Sequence, residues 1–175
     1  MKKSEPFHVT RCIGRSFTSE EWGEWCNTHK GGTTIVFTYK DFQFNEFDVC
    51  MTPHVKIDWK GNLAGLRIET AESPNGRWDY GIHYDFHLGG CGHAAGFISD
   101  QLRGYASEKE AVFAALLKAE EYIQREIKSL KGLRDGDEHE GDTKPSTCLS
   151  AANAFLSQIK IWKNSFDPRQ LELFA

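Results

Sequence analysis

From about residue 33 to residue 88 apolar and polar residues alternate with period two, and from about residue 107 onward they repeat every three to four. The clearest alternation sets Trp78, Tyr80, Ile82, Tyr84, Phe86 and Leu88 between Arg77, Asp79, Gly81, His83, Asp85 and His87. Strict period two over that length predicts a long antiparallel strand with one buried face. Upstream, Val55, Ile57 and Trp59 alternate, Lys60-Gly61-Asn62 turns the chain, and Ala64, Leu66 and Ile68 alternate back. Ser73-Pro74-Asn75-Gly76 supplies the next turn, with Pro preset for its first central position and Gly free to take positive φ. These segments predict a meander.

Residues 33–51 also read as β structure: Ile35, Phe37 and Tyr39 alternate, then Phe42 and Phe44, then Phe47, Val49 and Met51. The phase slips between Phe44 and Phe47, which a bulge at Asn45-Glu46 explains. Before this region, Thr18-Ser19-Glu20-Glu21 has the form of a capping box. Trp22, Trp25, Cys26 and His29 follow at helical spacing up to Gly31-Gly32, so a short helix with an aromatic core face is expected over about 19–30.

After Leu88 a glycine-rich connection (Gly89, Gly90, Gly92, Gly96) leads to a short strand around Phe97-Ile98. Ser107-Glu108-Lys109-Glu110 is a second capping box. Val112, Leu116, Ala119, Ile123, Ile127 and Leu130 then mark one face of a long helix closed by Gly132. At about 24 residues it is roughly 36 Å long, enough to cross a sheet. From 133 to 146 Asp135, Asp137, Glu138, Glu140 and Asp142 lie among glycines, and the segment reads as an acidic flexible linker. The order of ligands that a calcium loop needs is missing. Leu149, Ala152, Leu156, Ile159 and Trp162 predict a final amphipathic helix over 147–166, stopped by Asp167-Pro168. The expectation is an α+β fold: an antiparallel sheet of about five to six strands packed by the long helix, with a short N-terminal helix and a C-terminal helix. Residues 1–132 form the body, 133–146 the linker, 147–166 the last helix and 167–175 a tail.

Composition narrows the function. Twenty-one Lys and Arg against 25 Asp and Glu leave a net charge of −4, without the basic footprint of a non-specific nucleic-acid binder. The aromatic strands resemble base-stacking platforms, but Trp78, Tyr80, Tyr84 and Phe86 lie on the face the helix covers. Five cysteines, Cys12, Cys26, Cys50, Cys91 and Cys148, are unclustered and read as reduced thiols. The start, Met1-Lys2-Lys3-Ser4-Glu5-Pro6, lacks the apolar run of a secretory signal, and no stretch approaches the roughly 20 apolar residues of a membrane span. A cytoplasmic protein is expected.

Catalytic grammar is sparse. His83, Asp85 and His87 project from one strand face, with Cys91 and His93 behind, and a metal-dependent enzyme would have to use them. His83 and His87 are four residues apart, nearly 14 Å along an extended strand, so one ion with bonds of about 2 Å would strain to join them unless the strand bends. A solvated polar face explains them better. A Cys91–His93 nucleophile pair lacks an orienting third group, and the glycines lack the Lys and hydroxyl of a phosphate loop. No enzyme activity, metal or cofactor is expected.

The sharpest signal is the C-terminal Asp167-Pro168-Arg169-Gln170-Leu171-Glu172-Leu173-Phe174-Ala175. Three large apolar residues in a short terminal segment need a place to be buried. Burying two Leu and a Phe contributes roughly 1.5–3 kcal/mol each before ordering costs. The surplus suits a micromolar contact, on the order of −8 kcal/mol. Gln170-Leu171-Glu172-Leu173-Phe174 resembles the peptide by which bacterial replication and repair proteins dock on the DNA sliding clamp. The resemblance covers these five residues. It implies that Gln170 hydrogen-bonds the rim of the clamp groove, Leu171 enters a shallow depression, and Leu173 and Phe174 fill the deep apolar pocket. The other fate open to Leu171, Leu173 and Phe174 is packing on this protein's own body.

The order of hairpin, glycine loop, strand and helix looks like that of small accessory proteins of phages and plasmids. The expected function is therefore a protein-binding module that engages the sliding clamp, either to recruit the body to replicating DNA or to block host polymerases. One alternative is an inhibitor of a host defence system, such as an anti-CRISPR protein, acting on another host complex through its sheet or acidic surface; a second is a small metal-dependent enzyme using His83, His87, Cys91 or His93. Neither a membrane nor non-specific nucleic acid is an expected partner.

Overall fold

The computed structural model describes residues 8–11, 14–28, 34–87, 89–99, 104–134 and 143–171. Two short strands, β1 (His8–Thr10) and β2 (Arg15–Phe17), pair antiparallel and lead into helix α1 (Ser19–Thr28). Its capping box forms in full. Thr18 Oγ1 accepts the Glu21 amide at 3.3 Å, and Glu21 Oε2 accepts the Thr18 amide at 2.8 Å. No α1 side chain is fully buried. Trp22 instead packs edge-on between Phe17 and Phe47, at 5.4 and 5.5 Å, so the aromatic face builds a small satellite cluster.

Strands β3 (Ile35–Tyr39) and β4 (Phe42–Asn45) form a hairpin that turns at Lys40, whose φ is +54°. The expected bulge at Asn45-Glu46 is instead a reversal. Asn45 Oδ1 accepts the amides of Phe47 and Val49 at 2.9 and 3.0 Å, Asp48 takes φ +63°, and Cys50 bridges back to Phe44. An Asx-type side-chain bond closes a turn without Gly or Pro, so turn punctuation in the sequence did not reveal it. The hairpin does carry a register shift, between Ile35 and Phe37.

The main sheet is four-stranded and antiparallel, in the order β5 (His54–Lys60), β6 (Ala64–Glu72), β7 (Trp78–Phe86), β8 (Gly89–His93). The predicted meander is its first three strands, with Leu66 opposite Tyr84 and Ile68 opposite Ile82. The glycine-rich connection expected after it is the edge strand β8. Gly90 and Gly92 approach β7 too closely for any side chain. A Cβ on Gly90 would lie 2.6 Å from Asp85 Oδ1 and 2.8 Å from the Tyr84 carbonyl oxygen, and one on Gly92 would collide with the Ile82 carbonyl. Glycine here is demanded by close packing. Phe97-Ile98, expected as a strand, lies outside every strand, and its neighbour Gly96 makes a single bridge to Val49.

Helix α2 (Glu108–Leu130) crosses one face of this sheet. Ser107 caps it through a 3.2 Å bond from the Glu110 amide, while Glu110 Oε2 accepts from Ala106 rather than from Ser107. Val112, Leu116, Ala119, Ile123, Ile127 and Leu130 are all buried, as the periodicity predicts. Helix α3 (Pro145–Phe166) begins with Pro at its first turn and packs on α2, where Lys163 pairs with Glu120. Its Cys148, Ala152, Phe155 and Ile159 belong to the same core as Leu66, Ile82 and Leu116. Phe155, outside the predicted stripe, is the largest fully buried side chain of α3, stacked on Trp59 at 4.8 Å and 16° and on Tyr84 at 5.9 Å and 18°. Leu149, Leu156 and Trp162 are only partly buried. The expected linker falls largely on residues 135–142, outside the described residues. The α+β class stands, its strands divided between the four-stranded sheet and two hairpins. No described helix is long and apolar enough to cross a membrane.

Candidate functional site

The C-terminal segment starts from a well-defined helix end. After Phe166 the Asp167 carboxylate grips Arg169 three ways. Oδ1 accepts from the Arg169 amide and from Nε, both at 3.0 Å, and Oδ2 accepts from Nη2 at 2.7 Å. The Arg169 guanidinium holds the Asp167 carboxyl down to about 2. This clasp directs the chain into a 3-10 turn at Pro168–Leu171, which touches α2. Gln170 and Leu171 therefore have a described backbone, while their side chains, and Glu172, Leu173, Phe174 and Ala175 entirely, lie outside the described residues.

The polar residues of β7 and β8 are spread over both faces and one end of the sheet. His83 and Asp85 face away from α2, beside Asp58 and Arg67, over an open depression of about 200 Å³. His87 occupies the β7–β8 turn with φ +54°. Cys91 lies opposite Tyr84 and His93 opposite Ile82, on the helix-covered side of the edge strand. Among the described residues no three His, Cys, Asp or Glu come together to hold a metal ion.

A different polar cluster was invisible in the sequence. His54, at the start of β5, lies between two carboxylates: Nε2 is 2.7 Å from Asp41 Oδ2 and Nδ1 is 3.1 Å from Glu108 Oε1. Glu108 also accepts from Thr70 Oγ1 at 2.8 Å and from Lys56 Nζ at 3.0 Å. The ring rests on Phe42, with centroids 4.5 Å apart. The Asp41 hydrogen bond, seconded by Glu108, outweighs desolvation and raises the His54 pKa. The His54 bond likewise lowers Asp41. Burial pushes Glu108 upward, but the bonds from Lys56, Thr70 and His54 together bring it below the usual carboxylate range. The partners lie 13 and 54 residues away, so no local spacing signals them. The cluster ties the β3–β4 hairpin and the first turn of α2 to the sheet. Its chemistry is that of an electrostatic clamp.

Comparison with protein-family models, with curated proteins and with solved structures finds no match to this chain.

Proposed function

We propose that this protein is a non-enzymatic binding module that docks on the bacterial DNA sliding clamp through Gln170, Leu171, Leu173 and Phe174. The observation that carries this reading is the Gln-Leu-Glu-Leu-Phe run at 170–174, an apolar triplet led by an amide. The run begins within a turn that the Asp167–Arg169 clasp holds, and a pre-shaped approach lowers the ordering cost of docking. In this reading Gln170 bonds the groove rim, Leu171 takes the shallow depression, and Leu173 and Phe174 fill the deep pocket. A cytoplasmic location follows from that of the clamp, and a phage- or plasmid-borne protein that recruits to, or occupies, the replication machinery fits the size and architecture.

The test is capture of purified sliding clamp by the wild-type chain and by a Leu173→Ala, Phe174→Ala double variant. The double variant is expected to keep the wild-type melting temperature and lose clamp binding by at least tenfold. Equal capture by both proteins would refute the reading.

A further inference from the structure

The main sheet ends in two unlike edges. The outer strand β5 is guarded: Lys56, Asp58 and Lys60 lie along it, and its register shifts between Val55 and Ile57. Charged side chains and an irregular register keep an open strand from pairing with another chain. The other edge, β8, has neither. Its sequence is Gly-Gly-Cys-Gly-His, its pairing with β7 is regular throughout, and all 5 residues are exposed. Among the described residues β7 is its only strand neighbour. An edge strand turns the N–H and C=O of alternate residues outward, and no long side chain before His93 stands over them. Gly90 and Gly92 let β8 lie close on β7, and the same lack of side chains leaves its outer side open to a second backbone at the strand spacing of about 4.8 Å.

A second, independent feature says what kind of strand fits. Beside β8 an open cleft of about 400 Å³ separates the strand from α2, with Tyr84 and Cys91 on the sheet side and Tyr122, Arg125 and Glu126 on the helix side. The three helical residues stand at i, i+3 and i+4 and so share one face. The Arg125 side chain is 68 % exposed and uses one nitrogen, Nη2, on Glu121, which leaves other donors of its five-donor guanidinium. Glu126 is exposed as well. A sheet edge selects a foreign peptide through pockets for alternate side chains, and a strand built mostly of glycine supplies few. One positive and one negative charge side by side are instead complementary to themselves under a two-fold rotation.

We propose that β8 pairs antiparallel with β8 of a second copy of this chain, joining two four-stranded sheets into one continuous sheet. The two-fold axis stands perpendicular to the sheet, so both copies of α2 lie on the same face and run antiparallel beside the new strand pair. Arg125 of each copy then meets Glu126 of the other, and the two open clefts close against one another around the Tyr122 rings. The contact is isologous and is complete with two copies, so it does not propagate into a filament. Residues 170–174 take no part in it.

Sedimentation equilibrium of the full-length protein measures the association from about 1 μM to about 1 mM, with a reductant present so that no intermolecular disulfide contributes. A monomer–dimer equilibrium is expected in that range. Cys91→Lys gives β8 the kind of guard that β5 carries, at an exposed position, and is expected to weaken dimerisation at least tenfold. Arg125→Glu and Glu126→Arg each set like charges across the axis and are each expected to weaken it about five- to tenfold. The Arg125→Glu, Glu126→Arg double variant restores opposite charges and is expected to return to within about threefold of the wild type. All these positions are exposed, so the variants keep the wild-type fold, which their melting temperatures check. A chain that stays monomeric throughout overturns the proposal and leaves the edge to an extended segment of another protein. A dimer that Cys91→Lys does not weaken, or a double variant no better than either single one, overturns it as well. None of these results bears on the clamp reading.

Discussion

Replacing Phe155 with Ala tests how α3 is held. Phe155 is 1 % exposed and lies between Trp59 and Tyr84, two rings of the sheet that are themselves fixed by strand pairing. Truncation removes the transfer free energy of the ring and leaves a cavity that these rigid neighbours refill poorly. A Phe→Ala change in a core costs about 3–5 kcal/mol, and the stacked geometry argues for the upper half of that range. Against a total stability of about 5–15 kcal/mol, this is about a quarter or more of what holds the domain together. At about 2–4 °C per kcal/mol for a chain of this size, the melting temperature should fall by roughly 6–20 °C. Urea unfolding followed by tryptophan fluorescence reads the change directly, since Trp59 and Trp162 both border the site. Leu156→Ala, at a position only partly buried, should cost about half as much or less. Ile161→Ala, at a position 57 % exposed, should stay within about 0.5 kcal/mol. A Phe155→Ala cost below about 1 kcal/mol, or one smaller than that of Leu156→Ala, would refute the packing of α3 on the sheet described here.

Other consequences follow from the clamp of charges and from the edge strand. The His54 pKa is raised on folding from about 6.5, so its stabilising contribution is complete below that pH and fades as pH rises through the folded value. Asp41 and Glu108 shift the opposite way, and their contribution is present above about pH 4.5 and fades as pH falls through their lowered values. The network is therefore strongest between about pH 5 and 6.5, and thermal melts from pH 6 to 8 should show a decline that a His54→Gln variant lacks; parallel profiles would count against it. Gly92→Ala forces a methyl group against the Ile82 carbonyl and should destabilise the protein by about 1–3 kcal/mol in urea titrations, detaching β8 from β7. A neutral Gly92→Ala would mean that β8 does not hug its neighbour.

The helices and the first three strands of the main sheet were legible because their signals are local. Period two in Tyr80–Phe86, period three to four in Val112–Leu130, and the hydroxyl–Glu pairs at Thr18–Glu21 and Ser107–Glu110 each depend on neighbours within a turn or a strand. The C-terminal peptide is also a short-range pattern, and the chain itself is enough to state it. What needed the fold was every choice made by a distant partner. Phe155 outranks Leu156 because the sheet offers two rings to stack on, and helical spacing alone cannot say which side of the apolar stripe is met. Gly89–His93 reads as a loop in isolation and becomes a strand because β7 presents an edge to pair with. Asp41, His54 and Glu108 meet only after the hairpin, the sheet and the helix have docked. The cleft holding Cys91 and Tyr84 likewise exists only where β8 and α2 run side by side. Backbone preference and amphipathic periodicity are properties of neighbouring residues, whereas burial, ion pairing and cavities are properties of surfaces that sequence separates and folding joins.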